Sequence, residues 1–235
     1  MPSKTELAVA GFYDGIYLFY EAANSFLTFG LDLYWRRRAA GLARAAAPSA
    51  RSALDACCGT GDFCGALRRV YGPGLQLTGA DLSAAMLSRA GARLPGVKLV
   101  QAEAKELPFP AASFDLVTIS FATRNLNLDR EKMLAALREF RRVLKPGGVF
   151  LNVETTRPEN PAIRSLMRLY VKAAIGALVL ISPKSRQSYL FLRNTILNFY
   201  GAEEFSALLA EAGFEGVRAR ALFPGAVAVH TAVKP

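Results

Sequence analysis

The stretch Ala53-Leu-Asp-Ala-Cys-Cys-Gly-Thr-Gly-Asp62 has the residue types of a buried strand that stops at an acidic residue and enters a glycine-rich turn. Gly59 and Gly61 let the backbone approach a ligand where a side chain would collide. A helix expected over residues 63–70 would offer free N–H groups to a polar or anionic ligand group. Twenty residues past Gly61, Asp81 ends a second short apolar run, where a carboxylate can accept both hydroxyls of a ribose. Glu103 ends a third run, within reach of an adenine edge, and Ser120 ends a fourth beside the same crevice. The plain alternatives are a helix-capping role for Asp81 and an exposed loop carboxylate for Glu103. Together these positions predict a nucleotide-like cofactor lying across the carboxyl ends of parallel strands.

Two features choose between cofactors. After Gly59 and Gly61 the next glycine is Gly65, one position late for the Gly-x-Gly-x-x-Gly dinucleotide pattern. Carboxylates at the strand ends also disfavour a pyrophosphate. S-adenosyl-L-methionine has no phosphate and carries a cationic sulfonium, so acidic neighbours suit it. The expected fold is therefore α/β: a class I S-adenosylmethionine-dependent methyltransferase core, Rossmann-like, in preference to an NAD-dependent dehydrogenase. The set Asp55, Gly59, Gly61 and Asp81 would hold that cofactor; alone, it fits a non-catalytic cofactor-binding subunit equally well.

The elements that must position these residues follow from periodicity. Residues 1–47 read as helical, with a break at Gly30. Strands are expected at 75–80, 97–101, 114–120 and 149–153, alternating with helices that begin after Ser83 and near Asp129. The continuous apolar run Phe114–Ser120 suits a central strand buried on both faces. Pro146-Gly147-Gly148 reads as a turn. Residues 158–198 read as an apolar helical insertion with interspersed basic residues, followed by a helix over 203–212 and two strands, 216–222 and 226–233. The order gives a doubly wound, mostly parallel seven-stranded sheet whose closing hairpin supplies one antiparallel strand. We expect a single domain: N-terminal helices over 1–47, a cofactor-binding core over 51–157, a helical substrate cap over 158–198, and a final helix and hairpin over 199–235.

Composition sets outer bounds. The 235 residues carry a formal charge of +10, which suits an anionic partner such as a membrane surface, nucleic acid or acidic substrate. No zinc spacing, helix-turn-helix or RNA-binding signature accompanies that charge, so neither a metal nor nucleic acid is expected. Cys57, Cys58 and Cys64 are odd in number and clustered at the glycine turn, which favours a reducing cytoplasmic location over a disulfide framework. No signal-peptide pattern is visible, and the longest apolar run, 173–181, is too short to span a bilayer. Arg36, Arg37 and Arg38, with Lys184 and Arg186, are candidates for an anionic lipid surface.

The segments Leu54–Asp62, Gly79–Leu87 and Ala102–Pro110 look like methyltransferase motifs in order. Ser113-Phe-Asp-Leu-Val-Thr-Ile-Ser-Phe-Ala-Thr-Arg-Asn-Leu126 and Arg141-Arg-Val-Leu-Lys-Pro-Gly-Gly148 resemble the ubiquinone/menaquinone biosynthesis C-methyltransferase family more specifically. So do Tyr20-Glu-Ala-Ala-Asn24, the segment Ser25–Trp35 and the ending Gly225–His230. The resemblance implies cofactor contacts at Thr60, Asp81, Glu103, Ala104 and Ser120, and substrate-end roles for Arg124 and Asn125. It also brings Tyr20 forward as a pocket residue. It implies C-methylation of a prenylated hydroquinone, a demethylmenaquinol or a ubiquinol precursor, by an enzyme that can associate peripherally with a membrane and can form a homo-oligomer. Glu103 stands where the family has Asn or Asp, Glu21 where it has Asp, and Leu126-Asn-Leu128 replaces Val-(Thr/Pro)-Asp. The segment Leu192–Thr195 departs as well. A methyltransferase for another lipophilic molecule or phenol, or for RNA, remains the alternative reading.

Overall fold

The computed structural model describes residues 27–235, apart from positions 128 and 224. Helix α1 (Leu31–Ala46) leads into strand β1 (Ser52–Ala56), helix α2 (Asp62–Tyr71), β2 (Gln76–Asp81), α3 (Ala84–Arg93) and β3 (Lys98–Gln101). Then come β4 (Phe114–Ser120), a short α4 (Thr123–Leu126), α5 (Arg130–Val143) and β5 (Leu144–Thr155). Two insertion helices, α6 (Pro161–Ile181) and α7 (Arg186–Leu197), precede α8 (Ala202–Glu211), β6 (Glu215–Leu222) and β7 (Val227–Val233).

The strands form one sheet in the order β3-β2-β1-β4-β5-β7-β6. Only β7 runs antiparallel to its neighbours β5 and β6, as the expected closing hairpin requires. Chain order reverses between β1 and β4, and a crevice at that switch point is where open α/β sheets bind ligands.

Both faces are covered, which explains the unbroken apolar strands. Side chains alternate, so Leu54, Val117, Ile119 and Phe150 join one core with Phe140, Phe205 and Phe214. Ala53, Leu116, Leu151 and Val153 join the other with Trp35, Phe63 and Leu67. Helix α1 presents Ala39, Ala40 and Ala43 without any exposed surface, and these small residues let it lie close against α2. The α6–α7 pair keeps a smaller core of its own: Val171, Ile175, Leu178, Tyr189 and Leu192.

Two expectations need correcting. Pro146-Gly147-Gly148 is not a turn before the strand; it lies within β5, where the pairing with β4 jumps from Phe114↔Leu144 to Leu116↔Val149. The excursion is fixed by Gly147 N–H donating to Lys234 O at 2.8 Å and Lys234 N–H donating to Gly148 O at 2.9 Å. Arg36 is not a surface cation either: it is buried and paired with Asp32, whereas Arg37 and Arg38 are exposed as expected. Among the described residues, no helix is long and apolar enough to cross a membrane.

Candidate active site

The glycine turn is built by local geometry. Cys58 N–H donates to Ala80 O on β2, and Gly61 N–H donates back to Cys58 O. Gly59 and Gly61 both take positive φ, +54° and +84°. At Gly61 a side chain is excluded twice over, because a Cβ would also lie 2.5 Å from Leu94 Cδ1. Cys57 shares the left-handed conformation, at φ 53°, a strain concentrated at the crevice.

Asp81 closes the turn from β2. Its Oδ2 accepts Gly59 N–H at 2.8 Å and its Oδ1 accepts Ser83 N–H at 2.9 Å. Ser83 in turn caps α3 by accepting Met86 N–H, as its position before an apolar-periodic run predicts. The carboxylate thus rests at the mouth of the crevice with its orientation set by two backbone donors.

Asp55 lies beneath. Its strand neighbour Thr118 donates to Oδ1 at 2.8 Å, and Cys64 Sγ donates to Oδ2 at 3.3 Å. Burial pushes its pKa up to about 7 against the pull of those two hydrogen bonds and of the Arg36 charge. Burial likewise raises the Cys57 thiol, and a hydrogen bond with Cys58 raises that of Cys64, which packs against Asp55.

One cavity collects the sequence candidates. Its walls include Asp55, Gly59, Thr60, Asp81, Glu103, Ala104, Ser120 and Asn125. Glu103 forms an ion pair with Lys105 at 2.8 Å. Ser120 Oγ is buried on this wall with no hydrogen-bond partner, which leaves a hydroxyl ready for a ligand. A glycine cradle, oriented carboxylates at two successive strand ends and an unsatisfied hydroxyl fit the sulfonium-bearing adenosine cofactor. Among the described residues, no group of three or more His, Cys, Asp or Glu side chains could hold a metal. Tyr20 lies outside the described residues.

Arg124 and Asn125 are parted by the structure. Both sit on α4, entered through Phe121 at φ 53°. Asn125 lines the cavity, but Arg124 does not. The Arg124 guanidinium turns to Glu154 on β5: Nη1 donates to Glu154 Oε1 and to Phe121 O, each at 2.7 Å, and the Arg124 backbone N–H reaches Glu154 Oε2. Glu154, the buried partner of Arg124, is a residue that sequence reasoning missed. Its signal was a carboxylate inside an apolar strand, which requires a buried partner. Next to it, Thr123 donates to Asn152, and Asn152 faces His230 across the β5–β7 pair. His230 is a core residue, with Nε2 at 3.0 Å from Ala202 O and its ring edge-on to Phe205. Burial lowers its pKa.

In the helical insertion, Ile175 and Leu178 are buried between α6 and α7 and do not form its surface. The outward side of α6 is apolar instead: Leu166, Leu169, Leu180 and Ile181 are each more than two-thirds exposed or close to it, at 68%, 67%, 82% and 76%.

Known proteins agree with this architecture. The chain is 22% identical to a SAM-dependent methyltransferase from Thermotoga maritima, with a TM-score of 0.67 over 96% of this chain and 99% of that one. The structure of human N-acetylserotonin methyltransferase in complex with SAM overlaps it with a TM-score of 0.61 at 16% identity, covering 92% of this chain and 57% of that one. Those likenesses establish the fold. In sequence, the chain is 38% identical over 218 residues to the demethylmenaquinone methyltransferase of Staphylococcus aureus, spanning 92% of this chain and 88% of that protein. The model of the ubiE/COQ5 methyltransferase family matches residues 1–234, and the chain belongs to that family.

Proposed function

We propose that the protein methylates a ring carbon of demethylmenaquinol. The observation that carries this reading is the 38% identity to the staphylococcal demethylmenaquinone methyltransferase over almost the whole chain. The cofactor is S-adenosyl-L-methionine, which when bound supplies an electrophilic methyl group on sulfur. Asp81 receives the ribose hydroxyls, Thr60 and the Gly59–Gly61 backbone border the chain of the cofactor, and Glu103 with Ala104 meets the adenine. Ser120 offers its hydroxyl beside them, and Asp55 supports the turn from below.

The acceptor must be the reduced ring. A quinol with one hydroxyl deprotonated carries negative charge on the neighbouring carbon, which would take the methyl group as its bond to sulfur breaks to leave the neutral thioether, and would then release its own hydrogen as a proton. A quinone lacks that charge. Asn125 faces the cavity and orients the quinol oxygen or a water that accepts its proton. Arg124 acts through its pairing with Glu154: the buried pair fixes α4 and so holds Asn125 at the cavity wall. Arg124→Met should reduce turnover at least tenfold while leaving S-adenosylhomocysteine affinity within twofold. Full activity in that variant sinks the role. Incubation with labelled S-adenosylmethionine and either reduced demethylmenaquinol or total RNA tests the acceptor. Labelled RNA with unlabelled quinol would overturn the reading.

The lipophilic acceptor also places the enzyme at a bilayer. The exposed apolar stripe of α6, flanked by the exposed cations Arg168 and Lys172, is the surface that meets the cytoplasmic face of an anionic membrane. Replacing Leu166 and Leu169 together with Ser should release the protein from anionic vesicles in a flotation assay. Unchanged flotation refutes this docking face.

A further inference from the structure

Arg36 reaches the cofactor cavity from outside the sheet. It is carried by α1, is 7% exposed, and lines the cavity wall. Asp32, one turn earlier, accepts from its Nη1 at 2.7 Å, and its guanidinium carbon stands 5.0 Å from the centre of the Phe121 ring. Asp32 itself is held by Thr28, whose hydroxyl donates to Oδ1. A guanidinium offers five N–H donors in a planar fork, and Asp32 engages Nη1. An i,i+4 ion pair that only steadied a helix would do so on the surface without the desolvation cost of this position. Placement against a cavity points to a ligand.

Sheet order says which part of the ligand. Passing from β3 through β2 and β1 to β4, the cavity meets Glu103, Asp81, Gly59 with Thr60, and Phe121 in sequence. With adenine at β3 and ribose at β2, the amino-acid end of the cofactor lies over β1 and β4. That is where Arg36 stands, close enough to Asp55 for its charge to act on that carboxyl. The other cations on the wall are engaged elsewhere, Lys105 with Glu103 and Lys132 with Asp129.

We propose that Arg36 is the seat for the α-carboxylate of the S-adenosylmethionine amino-acid end, its fork aimed by Asp32 and supported on the Phe121 ring. The assignment rests on the cofactor reading given above. It makes α1 part of the binding site, a helix outside the glycine turn and strand ends that signal the cofactor in the sequence.

Calorimetric titration with two ligands tests it. S-adenosylhomocysteine carries the amino-acid end; 5′-methylthioadenosine keeps the adenosine and thioether and lacks it. Arg36→Gln should weaken S-adenosylhomocysteine by about tenfold or more, the scale of a lost charge-assisted contact, and leave 5′-methylthioadenosine within twofold. Arg36→Lys, which keeps the charge and loses the fork, should weaken S-adenosylhomocysteine less, again without touching the smaller ligand; it serves alone if the Gln variant does not fold. Equal weakening of both ligands, or of neither, overturns the assignment. Wild-type protein that binds neither ligand would strike the cofactor reading itself.

Discussion

Replacing Glu154 by Gln is the sharpest test of how the substrate end is held. The two side chains of the Arg124–Glu154 pair are 4% and 1% exposed, so water screens neither. The carboxylate accepts two hydrogen bonds from Arg124 and two from Thr155, through its N–H and its hydroxyl. An amide keeps the shape and can satisfy Thr155, but it removes the countercharge of a guanidinium that cannot deprotonate. Breaking one side of such a buried pair costs about 3–5 kcal/mol. Against a typical total of about 5–15 kcal/mol for a domain, that is a large fraction. Equilibrium urea unfolding followed by far-ultraviolet circular dichroism measures it. The double variant Arg124→Met/Glu154→Leu, which removes both charges, should be less destabilised than Glu154→Gln alone. A cost below about 1 kcal/mol for Glu154→Gln, or a double variant no more stable than that single one, would refute the claim that the two charges depend on each other.

Three further outcomes follow from the same chemistry. Asp55 has a folded pKa raised from 3.8 to about 7, so the folded state holds the extra proton between those values; apo stability should fall as pH rises from 3.8 to 7 and level off above, and Asp55→Asn should flatten that slope in denaturation midpoints measured across the range. Asp115 behaves oppositely: Lys145 and the Arg51 and Ser52 N–H groups hold its carboxyl below the usual range, so its contribution is present above 3.8 and lost as pH falls through the depressed value. Because that carboxylate is half-buried and screened, Asp115→Asn should cost only about 1 kcal/mol at neutral pH, read by thermal unfolding. Gly61→Ala forces a side chain into a left-handed position against Leu94 and should cost about 1–3 kcal/mol while weakening S-adenosylhomocysteine binding; unchanged binding would show that the turn tolerates a Cβ.

What the chain reveals by itself follows the range of the interactions involved. The apolar run at Phe114–Ser120, the Ser83 cap and the glycine turn are governed by neighbours in sequence, and each was legible. The family-like flanks made the Arg124-Asn125 segment legible as a unit, but not its internal division of labour. Glu154 lies thirty residues beyond Arg124, and only the parallel pairing of β4 with β5 brings them together. Arg36 reads in sequence as one of three surface cations, because the helical period alone does not say which face of α1 meets the crevice and Phe121. Pro146-Gly147-Gly148 misled in another way: turn-forming residues also serve a strand excursion when a distant segment, here Lys234, supplies the hydrogen bonds.

The position of β7 has a consequence for assembly. Strand β5 is complete by Thr155, yet its outer edge is paired by residues 227–233, which a ribosome adds more than seventy residues later. Until then that edge offers an unbroken row of backbone donors and acceptors beside Phe150 and Leu151, the form of surface that recruits a strand from another chain. Strand β6 cannot occupy it first, since β6 meets the sheet only through β7. A nascent chain stalled before Val227 is therefore a template for aggregation despite carrying every cofactor-facing residue. Folding yield should depend on how quickly the last two strands are delivered.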